Sequence, residues 1–102
     1  MSPNPNSSAR LALEGEMTIF QAAELNEALL RAVRNNEGLE VDLVGVTELD
    51  TAGVQLMLVA QREASAIGHV LRWVGHSHAV REVVSRLGLE AELGEAVSIV
   101  GA

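Results

Sequence analysis

The sequence contains no cysteine, no tyrosine and no lysine, and it has one phenylalanine and one tryptophan among 102 residues. Without cysteine the chain has no disulfide, no thiol nucleophile and no thiolate ligand for a metal. Without lysine it can form neither a Schiff base nor the lysine-containing phosphate loop of many nucleotide-binding proteins. These absences exclude several classes of enzyme and predict a core of aliphatic side chains.

Positive charge is also scarce, since seven arginines face 14 acidic residues and give a net charge of −7. A nucleic-acid surface needs basic groups to neutralise phosphates, and docking on anionic lipid needs basic clusters. No apolar run approaches the ~20 residues of a membrane span, and residues 1–8 lack the pattern of a signal peptide. We therefore predict a cytoplasmic protein that binds no nucleic acid and does not insert into a membrane.

Short apolar segments alternate with helical patterns along the chain. Residues 1–9, rich in Ser, Asn and Pro, are predicted to be a flexible tail, and residues 10–102 a single domain. The predicted strands are 11–13 (ending at Gly15), a short extended piece at 16–18, 39–44, 69–74 and 96–100. The first predicted helix follows a Thr18–Gln21 capping box and ends near residue 36, and the second covers 54–67. The third starts at a Ser77 cap and ends at Gly88. A loop is predicted at 45–49.

This alternation predicts βαβ units with parallel strand pairing. The expected fold class is a small α/β domain, in which a mixed sheet of four to five strands is packed on one side by helices. No linker or repeat divides the segment from residue 10 onward.

Residue types that often carry chemistry are dispersed. The spacing of His76 and His78 points their side chains apart, and no carboxylate lies within three residues of His69, His76 or His78 in sequence. The acidic pairs 14/16 and 90/92 could be the acid and base of a hydrolase, but such clusters are usually solvated surface. We predict no catalytic residue, no metal site and no cofactor.

One junction between a strand and a helix, Asp50-Thr51-Ala52-Gly53, stands apart from this pattern. Asp50 or Thr51 can cap the helix, and Gly53 permits close packing of helix and sheet. A hydroxyl at a helix N-terminus is also suited to carry a phosphate, because free N–H groups and the helix dipole stabilise negative charge. Capping and phosphorylation both fit these residues.

Two apolar residues just beyond this junction are candidates for a docking patch. At 100° per residue, Val54 and Leu58 fall roughly 100–140° from the centre of the predicted core face. They form a patch if this flank of the helix is exposed, and they are hidden if a neighbouring helix covers it.

Taken together, several segments resemble the STAS family, named for sulfate transporters and anti-sigma factor antagonists. The resemblance covers about residues 10–100 and is carried by the order and spacing of 13–17, 41–46, 48–53, 68–74 and 80–89. It implies a small α/β fold and a non-catalytic protein that binds other proteins. In bacterial anti-sigma antagonists, an Asp-Ser-x-Gly loop carries a serine that a partner kinase phosphorylates.

This resemblance places the acceptor at Thr51, with Asp50 and Gly53 as supporting residues and Val54 and Leu58 at the partner-binding edge. Thr51 departs from the family pattern by replacing serine, which keeps a hydroxyl and adds a methyl group that restricts χ1. The implied partner is an anti-sigma factor kinase. The threonine at this position also resembles a second branch of the family, the cytoplasmic subunit of a phospholipid-trafficking ABC transporter, which binds the ATPase subunit. Stand-alone domains of this kind also resemble small proteins associated with chemosensory systems. The sequence leaves the partner and the oligomeric state open.

Overall fold

A computed structural model describes residues 9–93 of the chain. The predicted strand at 96–100 and residues 1–8 of the predicted tail lie outside the described residues. The elements are β1 (Ala9–Met17), α1 (Ala22–Asn35), β2 (Gly38–Leu49), α2 (Thr51–Ala66), β3 (Val70–Val74), α3 (His78–Arg86) and α4 (Glu90–Leu93).

The three strands form one sheet in the order β1-β2-β3, and both pairings are parallel. Side chains alternate along β2, so that one face of the sheet is buried beneath the helices and the other is largely exposed. The predicted fold class, an α/β domain with helices against the sheet, is confirmed. Within residues 9–93 the sheet has three strands instead of the expected four to five.

The strands β1 and β2 are longer than their sequence patterns predict. The two extended pieces at 11–13 and 16–18 belong to a single strand up to Met17, because Gly15 adopts a φ of 82° and lets the backbone continue. The segment 45–49, predicted to be a loop, is the second half of β2. It pairs with β1 as far as Met17 and Leu49, across two register shifts that disrupt the apolar alternation on which the prediction relied.

The predicted helices are all present, with shifted ends. The helix α2 begins at Thr51 rather than at residue 54, and α3 has the predicted Ser77 cap, whose Oγ accepts a hydrogen bond from the Val80 N–H at 3.2 Å. No capping box forms before α1, because the Thr18 hydroxyl donates to the Gln21 side-chain oxygen at 2.7 Å instead of accepting from a backbone N–H. None of the helices within residues 9–93 is long and apolar enough to cross a membrane.

Aliphatic side chains from every element meet in one core, as the scarcity of aromatic residues predicts. The helix α2 lies at its centre and buries six residues, whereas α1 buries two. Trp73 is also buried, and its indole N–H donates to the Gln61 side chain at 2.9 Å. The rigid packing of α2 fixes the position of its N-terminus at the carboxyl ends of β1 and β2.

Candidate functional site

The carboxyl ends of β1 and β2 and the start of α2 meet at one edge of the sheet. Met17 and Leu49, the last residues of the two strands, are paired in register. Asp50 directly follows Leu49, and its backbone N–H donates to the Met17 carbonyl at 3.3 Å. Open parallel sheets usually bind their ligands at this end of the strands, so the edge is the natural position for a functional site.

Asp50 ties two segments together through its carboxylate. One oxygen, Oδ1, accepts from the Gly53 N–H at 3.0 Å and caps α2, while Oδ2 accepts from the Ile19 N–H in the β1–α1 connection at 3.0 Å. These backbone donors, with Gly53 the strongest, lower the pKa of Asp50 below its ordinary value and keep the carboxylate charged. Asp50 is therefore a structural cap whose negative charge is fixed at the site.

Thr51 is the first residue of α2, and its side chain is exposed to solvent. Among residues 9–93, no side chain or backbone group forms a hydrogen bond with the Thr51 hydroxyl. The hydroxyl lies next to the ionised Asp50 carboxylate in sequence and at the positive end of the helix dipole. This geometry makes Thr51 accessible to another protein.

Gly53 lies where α2 approaches the backbone of β1. A side chain there would collide with the Met17 carbonyl oxygen and with a methyl group of Leu49. The residue is buried although it is only the third of the helix. Glycine at this position thus permits the close contact that allows Asp50 to reach both of its partners.

The predicted docking patch at Val54 and Leu58 is largely hidden. Val54 is 3% exposed and belongs to the core, so the expectation that it forms part of an exposed surface is wrong. Leu58 is half-buried and packs against the same core. The helix α1 covers a flank of α2, which makes the buried arc of α2 wider than the stripe of a surface helix.

The exposed apolar residues at this edge lie in a segment that the sequence prediction treated as a helix start. Ile19 and Phe20 are 67% and 88% exposed, in a turn that connects β1 to α1. This turn, Thr18–Gln21, is closed by a hydrogen bond from the Gln21 N–H to the Thr18 carbonyl at 2.9 Å. A signal was present in the sequence, because the two adjacent apolar residues fall before the periodic core positions of α1.

Acidic side chains dominate the exposed strand face at this edge. Glu16 and Glu48 are register partners on β1 and β2, and both are exposed. Glu14 lies two residues before Glu16 on the same face, opposite Gly45. Within residues 9–93, none of these three carboxylates has an arginine within ion-pair distance.

The histidines do not converge on a metal site. The His69 ring lies 2.8 Å from the Val33 carbonyl, and the buried His76 ring lies 3.2 Å from the Leu93 carbonyl. His78 begins α3 and approaches Glu82 at 3.8 Å. In the described part of the chain no three side chains of His, Asp or Glu are grouped as metal ligands.

Comparisons with known proteins bear on the family and the fold of this chain. A family model described as "Mlab, STAS domain" matches residues 3–100. A search of curated protein sequences gives no significant match.

Two similar solved structures are anti-sigma factor antagonists. SpoIIAA in its unphosphorylated form is 19% identical, with 93% of this chain and 86% of that chain covered and a TM-score of 0.68. The Mycobacterium paratuberculosis protein is also 19% identical, with 88% and 86% covered and a TM-score of 0.73.

A third structure is the STAS domain of a SulP transporter from Vibrio cholerae, with 24% identity and a TM-score of 0.68. The match covers 92% of this chain and 73% of that chain. At identities of 19–24%, the structural similarities show that the fold is shared. The family model, which matches residues 3–100, assigns the sequence to a family. The chain therefore belongs to the STAS domain family.

Proposed function

We propose that this protein is a non-catalytic regulatory module of the anti-sigma factor antagonist type, which docks on a nucleotide-using protein through the start of α2. The observation that carries the proposal is the exposed Thr51 hydroxyl, adjacent to a capping carboxylate that is already fully engaged. The family match and the similarity to two anti-sigma factor antagonists support this class of function. The partner in this proposal is an anti-sigma factor with kinase activity.

Phosphorylation of Thr51 would act as the switch. A phosphate adds up to about two negative charges at neutral pH. The Gly53 N–H, which would otherwise bind such a group at the helix start, is occupied by Asp50. The new charge would therefore remain at the surface beside an existing carboxylate, where it opposes docking by repulsion and by the cost of desolvation.

A phosphorylation assay tests the switch. The protein is incubated with the anti-sigma factor kinase of the same genome and ATP, and the modified residue is located by mass spectrometry. We expect one phosphate, at Thr51, and none in the Thr51→Val variant, which keeps the shape of the side chain. Phosphate at another residue, or no phosphate together with full binding by Thr51→Glu, would rule the switch out.

The transporter function is a second candidate, favoured by the "Mlab" description of the matching family model and by threonine at position 51. In that case the start of α2 would bind the ATPase subunit of an ABC transporter for phospholipids, with no covalent switch. Co-purification with an ATPase subunit, lost in Thr51→Glu and independent of ATP hydrolysis, would favour the transporter. Both proposals place the protein in the cytoplasm and the nucleotide on its partner.

A further inference from the structure

The most exposed apolar side chain among residues 9–93 is Phe20, and Ile19 lies beside it. They occupy the two central positions of the Thr18–Gln21 turn. The central positions of a turn favour Gly, Pro, Asn, Asp and Ser, because these residues either fit the turn dihedrals or form hydrogen bonds with the local backbone. Neither turn geometry nor core packing therefore accounts for isoleucine and phenylalanine here.

The turn is held in place by three contacts. The Gln21 N–H bonds to the Thr18 carbonyl at 2.9 Å, and the side chains of these two residues are joined at 2.7 Å. The Ile19 N–H bonds to Asp50 at 3.0 Å, and Thr18 itself is 8% exposed. Because these contacts already fix the backbone of the turn, little backbone freedom is lost when a partner binds, which favours binding.

The charges around the turn are of one sign. Glu16 and Glu48 face each other across neighbouring strands, an arrangement that destabilises a sheet. No arginine occurs in the second half of β1 or β2, or in the first half of α1 or α2. By contrast, Arg10 pairs with Glu40 at 3.3 Å near the opposite end of the sheet. A destabilising cluster of acids beside an exposed aromatic residue is typical of a surface shaped for binding.

We propose that Ile19 and Phe20 anchor a protein partner whose surface presents an apolar pocket with a rim of arginine or lysine. This inference rests on the proposed function. Asp50 bonds to the Ile19 N–H of the turn and directly precedes Thr51, so the turn and Thr51 form one surface. A phenylalanine buries about 150–250 Å² when fully enclosed, which is sufficient for an anchor. A second copy of this chain does not fit, because a symmetric contact would bring the two acidic clusters together.

Photocrosslinking tests the anchor in cells of the source organism. Phe20, Thr51 or Leu87 is replaced in separate strains by p-benzoylphenylalanine, and adducts are identified by mass spectrometry. Leu87 is the matched control, because it is half exposed and lies at the end of α3, away from the proposed surface. We expect position 20 to give an adduct at least about tenfold more abundant than position 87, at a partner residue in an apolar pocket flanked by basic side chains.

Binding by the identified partner gives the second readout. Phe20→Ala should raise Kd by about 30-fold or more, whereas Leu87→Ala should change it by less than about twofold. The unfolding temperature of Phe20→Ala should equal that of the wild type, since the side chain is 88% exposed. The double variant Glu16→Gln, Glu48→Gln should slow association about tenfold at low ionic strength, and this difference should vanish in about 0.5 M salt.

The outcomes separate this inference from the proposed function. An adduct at position 51 without one at position 20 overturns the anchor and leaves the proposed function standing. Adducts at neither position contradict both proposals. An adduct between position 20 and a second copy of this chain, or with a partner pocket that lacks basic residues, overturns the anchor as described.

Discussion

At the scale of single residues, Asp50 connects two segments of the proposed docking surface. Its two oxygens accept hydrogen bonds from α2 and from the β1–α1 connection, so one carboxylate positions both Thr51 and the exposed turn. The same bonds hold its charge in place. Asp50, which was predicted as a possible cap and as a supporting residue of the loop, therefore joins the start of α2 to the β1–α1 connection.

Asp50 should make stability depend on pH in the acid range. Its pKa is lowered in the folded state, so its contribution is complete above the unfolded pKa of about 3.9 and is lost as the pH falls through the folded value. Below about pH 4, the free energy of unfolding of the wild type should fall more steeply with decreasing pH than that of Asp50→Asn. Urea titrations between about pH 2 and pH 6 measure both slopes.

The control for this prediction is Glu27→Gln, which removes an exposed carboxylate on α1. If the free energy of unfolding depends on pH in the same way in Asp50→Asn and in Glu27→Gln, the Asp50 cap does not make the contribution to acid stability that is predicted here.

Gly53 should reverse the usual effect of replacing glycine with alanine in a helix. Elsewhere in a helix this change stabilises by up to about 1 kcal/mol. Here the added methyl group meets the Met17 carbonyl, so Gly53→Ala should destabilise by about 1–3 kcal/mol. Chemical denaturation measures the difference, with Ser65→Ala on the exposed side of the same helix as a control that should stay within about 0.5 kcal/mol. A stabilised Gly53→Ala protein would contradict the close approach of α2 and β1.

At the scale of secondary-structure elements, α2 sets the position of the candidate site, because it is buried on more than one side and its N-terminus lies at the carboxyl ends of β1 and β2. The helix rests on the sheet and is flanked by α1. At its N-terminus, Thr51 is exposed to solvent, whereas Val54 already lies in the core.

The burial of α2 predicts opposite results for neighbouring substitutions. Val54→Asp should destabilise by more than about 3 kcal/mol, since it places an unpaired charge in the core. Gln55→Asp, one residue later and exposed, should change stability by less than about 0.5 kcal/mol. Thermal unfolding of the two variants checks this, and tolerance of Val54→Asp would mean that this flank of α2 faces solvent.

These elements also show what the sequence could predict. The βαβ pattern and the Ser77 cap are local signals, and the structure confirms them. The extent of β2 was not predictable in this way, because pairing with β1 across two register shifts is a long-range effect. The burial of Val54 was not predictable from the periodicity of α2, because it depends on how the helix packs against the rest of the core.

The site was predictable in part for the same reason. The Asp50–Gly53 junction has a local signature, and the structure shows the Asp50 cap and the close packing of Gly53 that this signature predicts. The Thr18–Gln21 turn belongs to the same surface only because Asp50 reaches across to Ile19, 31 residues earlier in sequence. No spacing rule within either segment could have brought them together.

At the scale of the whole molecule, charge and fold give this domain two unlike ends. The carboxyl ends of β1 and β2 carry the acids, the exposed apolar turn and Thr51, whereas the ion pairs of Arg10 and Arg72 lie toward the other end of the sheet. Such polarity orients an approaching partner and accelerates its association. The scarcity of basic residues, which argues against nucleic acid, fits a protein partner with a basic docking surface.

The central claim is that a partner docks on the surface around Thr51, and titration calorimetry with the kinase partner tests it most directly. The wild type, Thr51→Ala and Thr51→Glu are compared after circular dichroism has shown that all three are folded. We predict that Thr51→Ala binds within about threefold of the wild type and that Thr51→Glu binds at least about tenfold more weakly, a loss of about 1.4 kcal/mol. Equal affinity of all three proteins would contradict the account.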